Sequence, residues 1–111
     1  MMNEDRRAKA AADLENALLD TLRYEAGEVP SARELADAPV LSQWFVQTAR
    51  DGVLLLAGDC IGHPRLGSQW ITTSPLIYIA KDRTWARTRS RLYRLESMHP
   101  LMQYSDNSHK A

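Results

Sequence analysis

The chain has 111 residues, the length of one domain. Fourteen basic residues balance fourteen acidic ones and 44% of residues are apolar, which excludes a histone-like basic protein and a strongly acidic nucleic-acid mimic. No apolar run approaches the ~18 residues of a membrane helix. The N-terminal MMNEDRRAKAAADLEN has no apolar signal core. The single cysteine, Cys60, suits a reducing compartment. These features lead to the expectation of a cytoplasmic protein that does not engage a membrane.

Residues 3–26 read as a helix. They lack Gly and Pro and are rich in Ala, Leu, Glu and Arg. Leu14, Leu18 and Leu22 recur every four residues beside Ala10 and Ala17, giving one apolar stripe expected to pack on the chain's own sheet. Asn3 is the expected cap, and Gly27 with Pro30 the stop. Ser31-Ala-Arg-Glu34 is a capping-box pattern and predicts a short second helix to about Ala36, with Ala32, Leu35 and Ala36 on its buried side.

Pro39 ends that helix, and the apolar period falls from four to two. Residues 40–49 and 53–61 flank Asp51-Gly52 and predict a hairpin. His63-Pro-Arg-Leu-Gly67 reads as a loop in which His63 bonds the turn. Residues 70–80 form a strand that carries an edge or a bulge at Pro75. Residues 84–95 alternate and predict one further strand, with Trp85, Arg87, Arg89, Arg91, Tyr93 and Leu95 on one side. The expected domain spans 1–96, helical over 3–37 and β-rich over 40–95, followed by a polar tail over 97–111 whose start Leu101, Met102 and Tyr104 tack to the body. The fold class is α+β, two helices packed on a mostly antiparallel sheet of four or five strands.

Several short motifs are shared with known sequences. Gly62-His-Pro-Arg-Leu66, Thr73-Ser-Pro-Leu76, Trp85-Ala-Arg-Thr88, Ser90-Arg91 and Tyr93-Arg-Leu95 stand in order, with Ala38-Pro-Val-Leu41 and Trp44 upstream. In these the chain resembles an uncharacterised family of small, mainly alphaproteobacterial proteins, a domain of unknown function. It departs at Arg89, where similar sequences are apolar, and at Glu96, where they have glycine. The resemblance implies no activity, cofactor or catalytic residue.

Charge is unevenly spread, −3 over residues 1–50 and +3 over 51–111. Lys81, Arg83, Arg87, Arg89, Arg91 and Arg94 crowd one segment against a single acid, Asp82. On one strand face, Arg87, Arg89 and Arg91 with Trp85 and Tyr93 could follow a phosphate backbone or grip carboxylates. They could equally be a solvated face, or pair with the acidic N-terminal helix. The candidate binding set is Arg87, Arg89, Arg91, Trp85, Tyr93, Arg65, Lys81 and Arg83.

Cys60 and His63 have C-x-x-H spacing, but a structural zinc site needs four ligands and only His99 and His109 remain as nitrogen donors. No nucleotide or metalloprotease motif is present. No metal and no cofactor is expected. The functional expectation is a non-enzymatic binding or regulatory protein, of the kind that serves as accessory or inhibitor protein of a mobile element. Its expected partner is an acidic protein surface, with nucleic-acid binding through 84–95 as the alternative. Cys60/His63 chemistry is the enzymatic reading, and homodimerisation through the first helix is a further option.

Overall fold

The computed structural model describes residues 2–100. Two helices precede five strands: α1 Met2–Glu25, α2 Ala32–Asp37, β1 Val40–Thr48, β2 Leu54–His63, β3 Gly67–Ile79, β4 Trp85–Thr88 and β5 Leu92–Leu95. The α+β class and the change of period at Pro39 both hold. Leu101, Met102 and Tyr104, with the rest of 101–111, lie outside the described residues.

Helix α1 begins before Asn3, so Asn3 is inside the helix rather than its cap. Its end is the expected one. Gly27 takes φ 99°, the Glu28 N–H bonds the Arg23 carbonyl and the Gly27 N–H bonds the Tyr24 carbonyl, each at 3.0 Å. That is the paired closure of a glycine C-cap. At α2, the Glu34 N–H donates to Ser31 Oγ at 3.0 Å and the Ser31 N–H donates to Glu34 at 3.1 Å, completing the capping box. The face expected to be buried is not: Ala32 and Ala36 are exposed, and Leu35 alone is partly covered. Six residues give too little length to lay a stripe on the sheet.

The strands form an antiparallel meander that closes into a barrel. Closure comes from parallel pairing of β1 with β5, Val40 beside Arg94 and Leu41 beside Leu95. The Arg94 N–H bonds the Pro39 carbonyl and the Glu96 N–H bonds the Leu41 carbonyl, each at 2.9 Å. Residues just past β5 continue along β1. Trp44 Nε1–H donates to the Glu96 carbonyl at 2.9 Å, and the His99 N–H donates to the Trp44 carbonyl at 2.8 Å. The barrel interior is Leu41, Trp44, Leu56, Cys60, Ile71, Ala86, Tyr93 and Leu95.

Register shifts interrupt the ladders at four places, and bulges of this kind bend a sheet. In β1 the register shifts between Ser42 and Phe45, with Gln43 at φ 52°. In β3 an extra residue lies between Thr72 and Pro75, the partners of Ala57 and Leu55, so the bulge is Thr73-Ser74 and ends at Pro75. The expected bulge is there, and β3 is not an edge, because β2 and β4 pair on its two sides. Across the bulge the Leu56 N–H is satisfied by Thr73 Oγ1 at 3.0 Å.

The segment 84–95 is not one strand. It is a hairpin, β4 and β5, pairing Trp85 with Arg94, Ala86 with Tyr93 and Arg87 with Leu92. Thr88 closes the turn: its N–H and hydroxyl donate to the Arg91 carbonyl at 2.9 and 3.1 Å. Each pair joins an odd to an even position, so the turn reverses the parity of the sides. Trp85 and Arg87 face outward toward α1, while Tyr93 and Leu95 face the barrel interior.

Candidate functional site

The hairpin redistributes the expected arginine row. Arg87 is 8% exposed, and its Nε–H donates to Asp20 Oδ2 of α1 at 3.2 Å. Asp20 also accepts from Arg23 at 3.1 Å, and Arg23 donates in turn to Glu28 at 2.9 Å. The acidic helix thus neutralises this member of the row internally. Trp85 is buried with it, edge-on to Tyr24 at 4.8 Å and stacked on Tyr78 at 5.5 Å. Arg89 is exposed at the turn. Lys81 and Arg83 stand exposed on the separate β3–β4 turn, where Arg83 reaches Met98 Sδ at 3.7 Å. The strand face that the nucleic-acid alternative relied on is not formed.

Three of the candidate residues do come together. Arg65, Arg91 and Tyr93 line a hollow of about 330 Å³ with His63, Leu66, Ile71, Thr72, Thr73, Ser74 and Ser90. It lies between the β2–β3 turn and the β4–β5 turn, over residues 71–74 of β3. The β4–β5 turn is held to β3 by two bonds: the Arg89 N–H donates to the Pro75 carbonyl at 2.8 Å, and the Ser90 N–H to Ser74 Oγ at 3.2 Å. Two guanidinium groups and no carboxylate line the hollow. Neither guanidinium has a side-chain hydrogen bond or ion pair among the described residues.

His63 organises one wall. Its Nδ1 accepts from the Arg65 N–H at 3.0 Å and the Leu66 N–H at 3.1 Å. This is the turn-bonding role expected for it, and it puts the ring proton on Nε2. Burial, then the nearby Arg91 and Arg65 charges, push its pKa below the ordinary value. The imidazole packs on Tyr93 with centroids 6.4 Å apart. Cys60 is 1% exposed, and burial pushes its thiol pKa up. A raised thiol pKa opposes thiolate formation, as a buried cysteine should. Among the described residues no group of three or more His, Cys, Asp or Glu side chains could hold a metal.

A second feature was visible in sequence but expected to be buried. The barrel-facing side of α1 is Ala17, Thr21 and Tyr24, with Asp20 beside them. Leu14, Leu18, Leu19 and Leu22 are 43%, 52%, 53% and 63% exposed. The stripe faces away because Tyr24 packs against both Trp85 and Tyr78 while Asp20 must reach Arg87, and together they fix the rotation of the helix. Val29, 67% exposed, follows the helix end. No helix among the described residues is long and apolar enough to cross a membrane.

Fold and site together define a small closed barrel carrying a helical arm and a basic hollow between two hairpin turns. The chain belongs to a family of unknown function (DUF6634), whose model matches residues 9–105. No curated protein and no solved structure matches it.

Proposed function

We propose that the protein is a non-enzymatic binding protein that works through protein–protein contact, with the leucine face of α1 as its docking element. The observation that carries this is the exposure of Leu14, Leu18, Leu19 and Leu22 on a helix whose opposite side is already fixed to the barrel. Apolar surface is worth about 25 cal/mol per Å² when removed from water, so a ridge of four leucines favours a partner. Helical arms with such ridges dock on apolar surfaces of other helices. The raised pKa of buried Cys60 and the occupied Nδ1 of His63 favour binding over nucleophilic chemistry. A free buried thiol suits a cytoplasmic location.

The partner that α1 itself fits is a second copy. An antiparallel pair centred near Leu18 lays Leu14 of one copy against Leu22 of the other. It also brings the Arg6–Lys9 end toward Glu25 and Glu28. Such a two-fold contact is self-complementary. Size-exclusion chromatography with light scattering tests it: the expected species is a dimer at micromolar concentration. Leu18→Glu with Leu22→Glu should give a folded monomer. A monomeric parent protein, or a dimer untouched by the double change, would sink this reading.

A further inference from the structure

We infer that the hollow between the β2–β3 and β4–β5 turns is a binding site for a small phosphate monoester. Arg65 and Arg91 reach it from two different turns, and no acid lines it. Ser74, Thr72 and Ser90 supply hydroxyls beside them. Tyr93 is 3% exposed and lines the hollow, yet its hydroxyl has no hydrogen-bond partner among the described residues. No buried side-chain oxygen or nitrogen among them lacks a partner, so this hydroxyl meets open space, and the hollow is the space beside it. His63 accepts at Nδ1 and therefore offers Nε2–H. The lining offers guanidinium, hydroxyl and imidazole donors and no carboxylate to neutralise them.

Geometry favours phosphate over carboxylate. A carboxylate is planar and is satisfied by one forked guanidinium. Here the donors stand on two turns and on the β3 floor, an array that suits oxygens pointing in several directions. Size favours a monoester over the bare ion. A water-sized unit of liquid occupies about 30 Å³, and this hollow is about 330 Å³, at the small end of ligand sites. Leu66 and Ile71 give the organic part an apolar wall. The hollow does not involve α1, so this inference stands or falls separately from the docking of the leucine face.

Isothermal titration calorimetry on the full chain, at low salt, tests it with inorganic phosphate, ribose 5-phosphate and succinate. Ribose 5-phosphate should bind saturably, at least tenfold more tightly than inorganic phosphate. Succinate should bind more weakly than either. Arg91→Gln should weaken ribose 5-phosphate binding tenfold or more. Arg65→Gln, at an exposed turn position where folding is not at stake, should do the same. Amide chemical-shift changes should centre on residues 63–66 and 90–93. No saturable binding, equal affinity for succinate, or binding that ignores both arginine changes would overturn the inference. So would an oligonucleotide that binds more tightly than ribose 5-phosphate and is indifferent to both changes.

Discussion

Asp20 and Arg87 stand 67 positions apart in the chain and 3.2 Å apart in the fold. The pair ties α1 to the outside of β4, beside the Tyr24–Trp85–Tyr78 cluster. The Arg87 side chain is 10% exposed and that of Asp20 27%, so water screens the contact only in part. A hydrogen bond to a charged group is worth about 1.5–3 kcal/mol, and partial exposure places this one toward the low end. Arg87→Ala should therefore destabilise the protein by about 1–2 kcal/mol in urea denaturation. Arg89→Ala, at the exposed turn, should change stability by less than about 0.5 kcal/mol. A double-mutant cycle with Asp20→Asn isolates the coupling. Equal effects of the two arginine changes would refute the anchoring role of Arg87.

That pair also shows where the sequence is readable and where it is not. Gly27, the Ser31–Glu34 box and Asp51-Gly52 are local signals, and the structure uses each where it stands. The turn at Arg89-Ser90 has no Gly, Pro, Asn or Asp, and Ser90 alone is a weak turn signal. Its closure comes from the Thr88 hydroxyl, which alternation cannot reveal. Missing that turn put six side chains on one face, when the hairpin sends Trp85 and Arg87 outward and Tyr93 inward. Arg65, Arg91 and Tyr93 were each recognisable as candidates, yet their convergence depends on the hairpin. Barrel closure is likewise illegible, because the β1–β5 parallel pairing joins the two ends of the sheet with no local signature. The leucines of α1 were legible as a stripe. Which way the stripe turned was set by Asp20 and Tyr24 finding distant partners.

Gly58 sits opposite the β1 bulge. A Cβ built there would lie 2.9 Å from the Ser42 carbonyl oxygen and 3.1 Å from Trp44 Cα. Both are backbone atoms and cannot swing aside. Gly58→Ala should cost about 1–3 kcal/mol through overpacking, despite the better strand propensity of alanine. Gly52→Ala, with open space around its Cβ but φ 84°, should cost less and through strain alone. Thermal melts of the two variants side by side distinguish clash from strain, and a neutral Gly58→Ala would contradict the close approach.

His63 gives the fold an acid-sensitive element. Burial first, then Arg91 and Arg65, lower its pKa below the ordinary 6.5. The native state thus binds protons less readily than the unfolded chain. Its contribution is complete above the unfolded pKa and is lost as pH falls through the lowered folded value. The chemical reason is that a proton on Nδ1 removes the acceptor for the Arg65 and Leu66 N–H groups. His63→Asn keeps an acceptor near that position and should flatten the stability profile below about pH 6.5. His63→Ala should cost about 1–2 kcal/mol near neutral pH, by leaving the turn amides unpartnered. A parent profile that stays flat from pH 7 to 5 would contradict this account.

Cys60 should be slow to alkylate in the native protein. It is buried, and burial raises its thiol pKa. Reaction requires thiolate and access, and the barrel interior supplies neither. Iodoacetamide labelling followed by mass spectrometry should proceed at a rate set by opening of the barrel, and addition of urea should speed it sharply. Rapid labelling without denaturant would contradict the packing at Cys60.

Tyr93 is the alkaline counterpart of His63. Burial first, against the opposing pull of Arg91, pushes its pKa up to about 12. The unfolded phenol ionises near 10. Between those values the unfolded chain has lost the proton that the native state keeps. The stability this contributes is whole below about pH 10 and is lost as pH rises toward 12. Tyr24 is also shifted upward by burial, so ultraviolet titration should show more than one late phenol, with Tyr93 among the last. Tyr93→Phe should remove part of the alkaline loss of stability while leaving the acid limb of His63 in place. It should also weaken any oxyanion bound between Arg65 and Arg91, because it removes the hydroxyl and leaves the ring packing of the barrel. Loss of binding with unchanged melting near neutral pH is the expected pair of results. A variant that binds as the parent does would show that the Tyr93 hydroxyl does not serve the hollow.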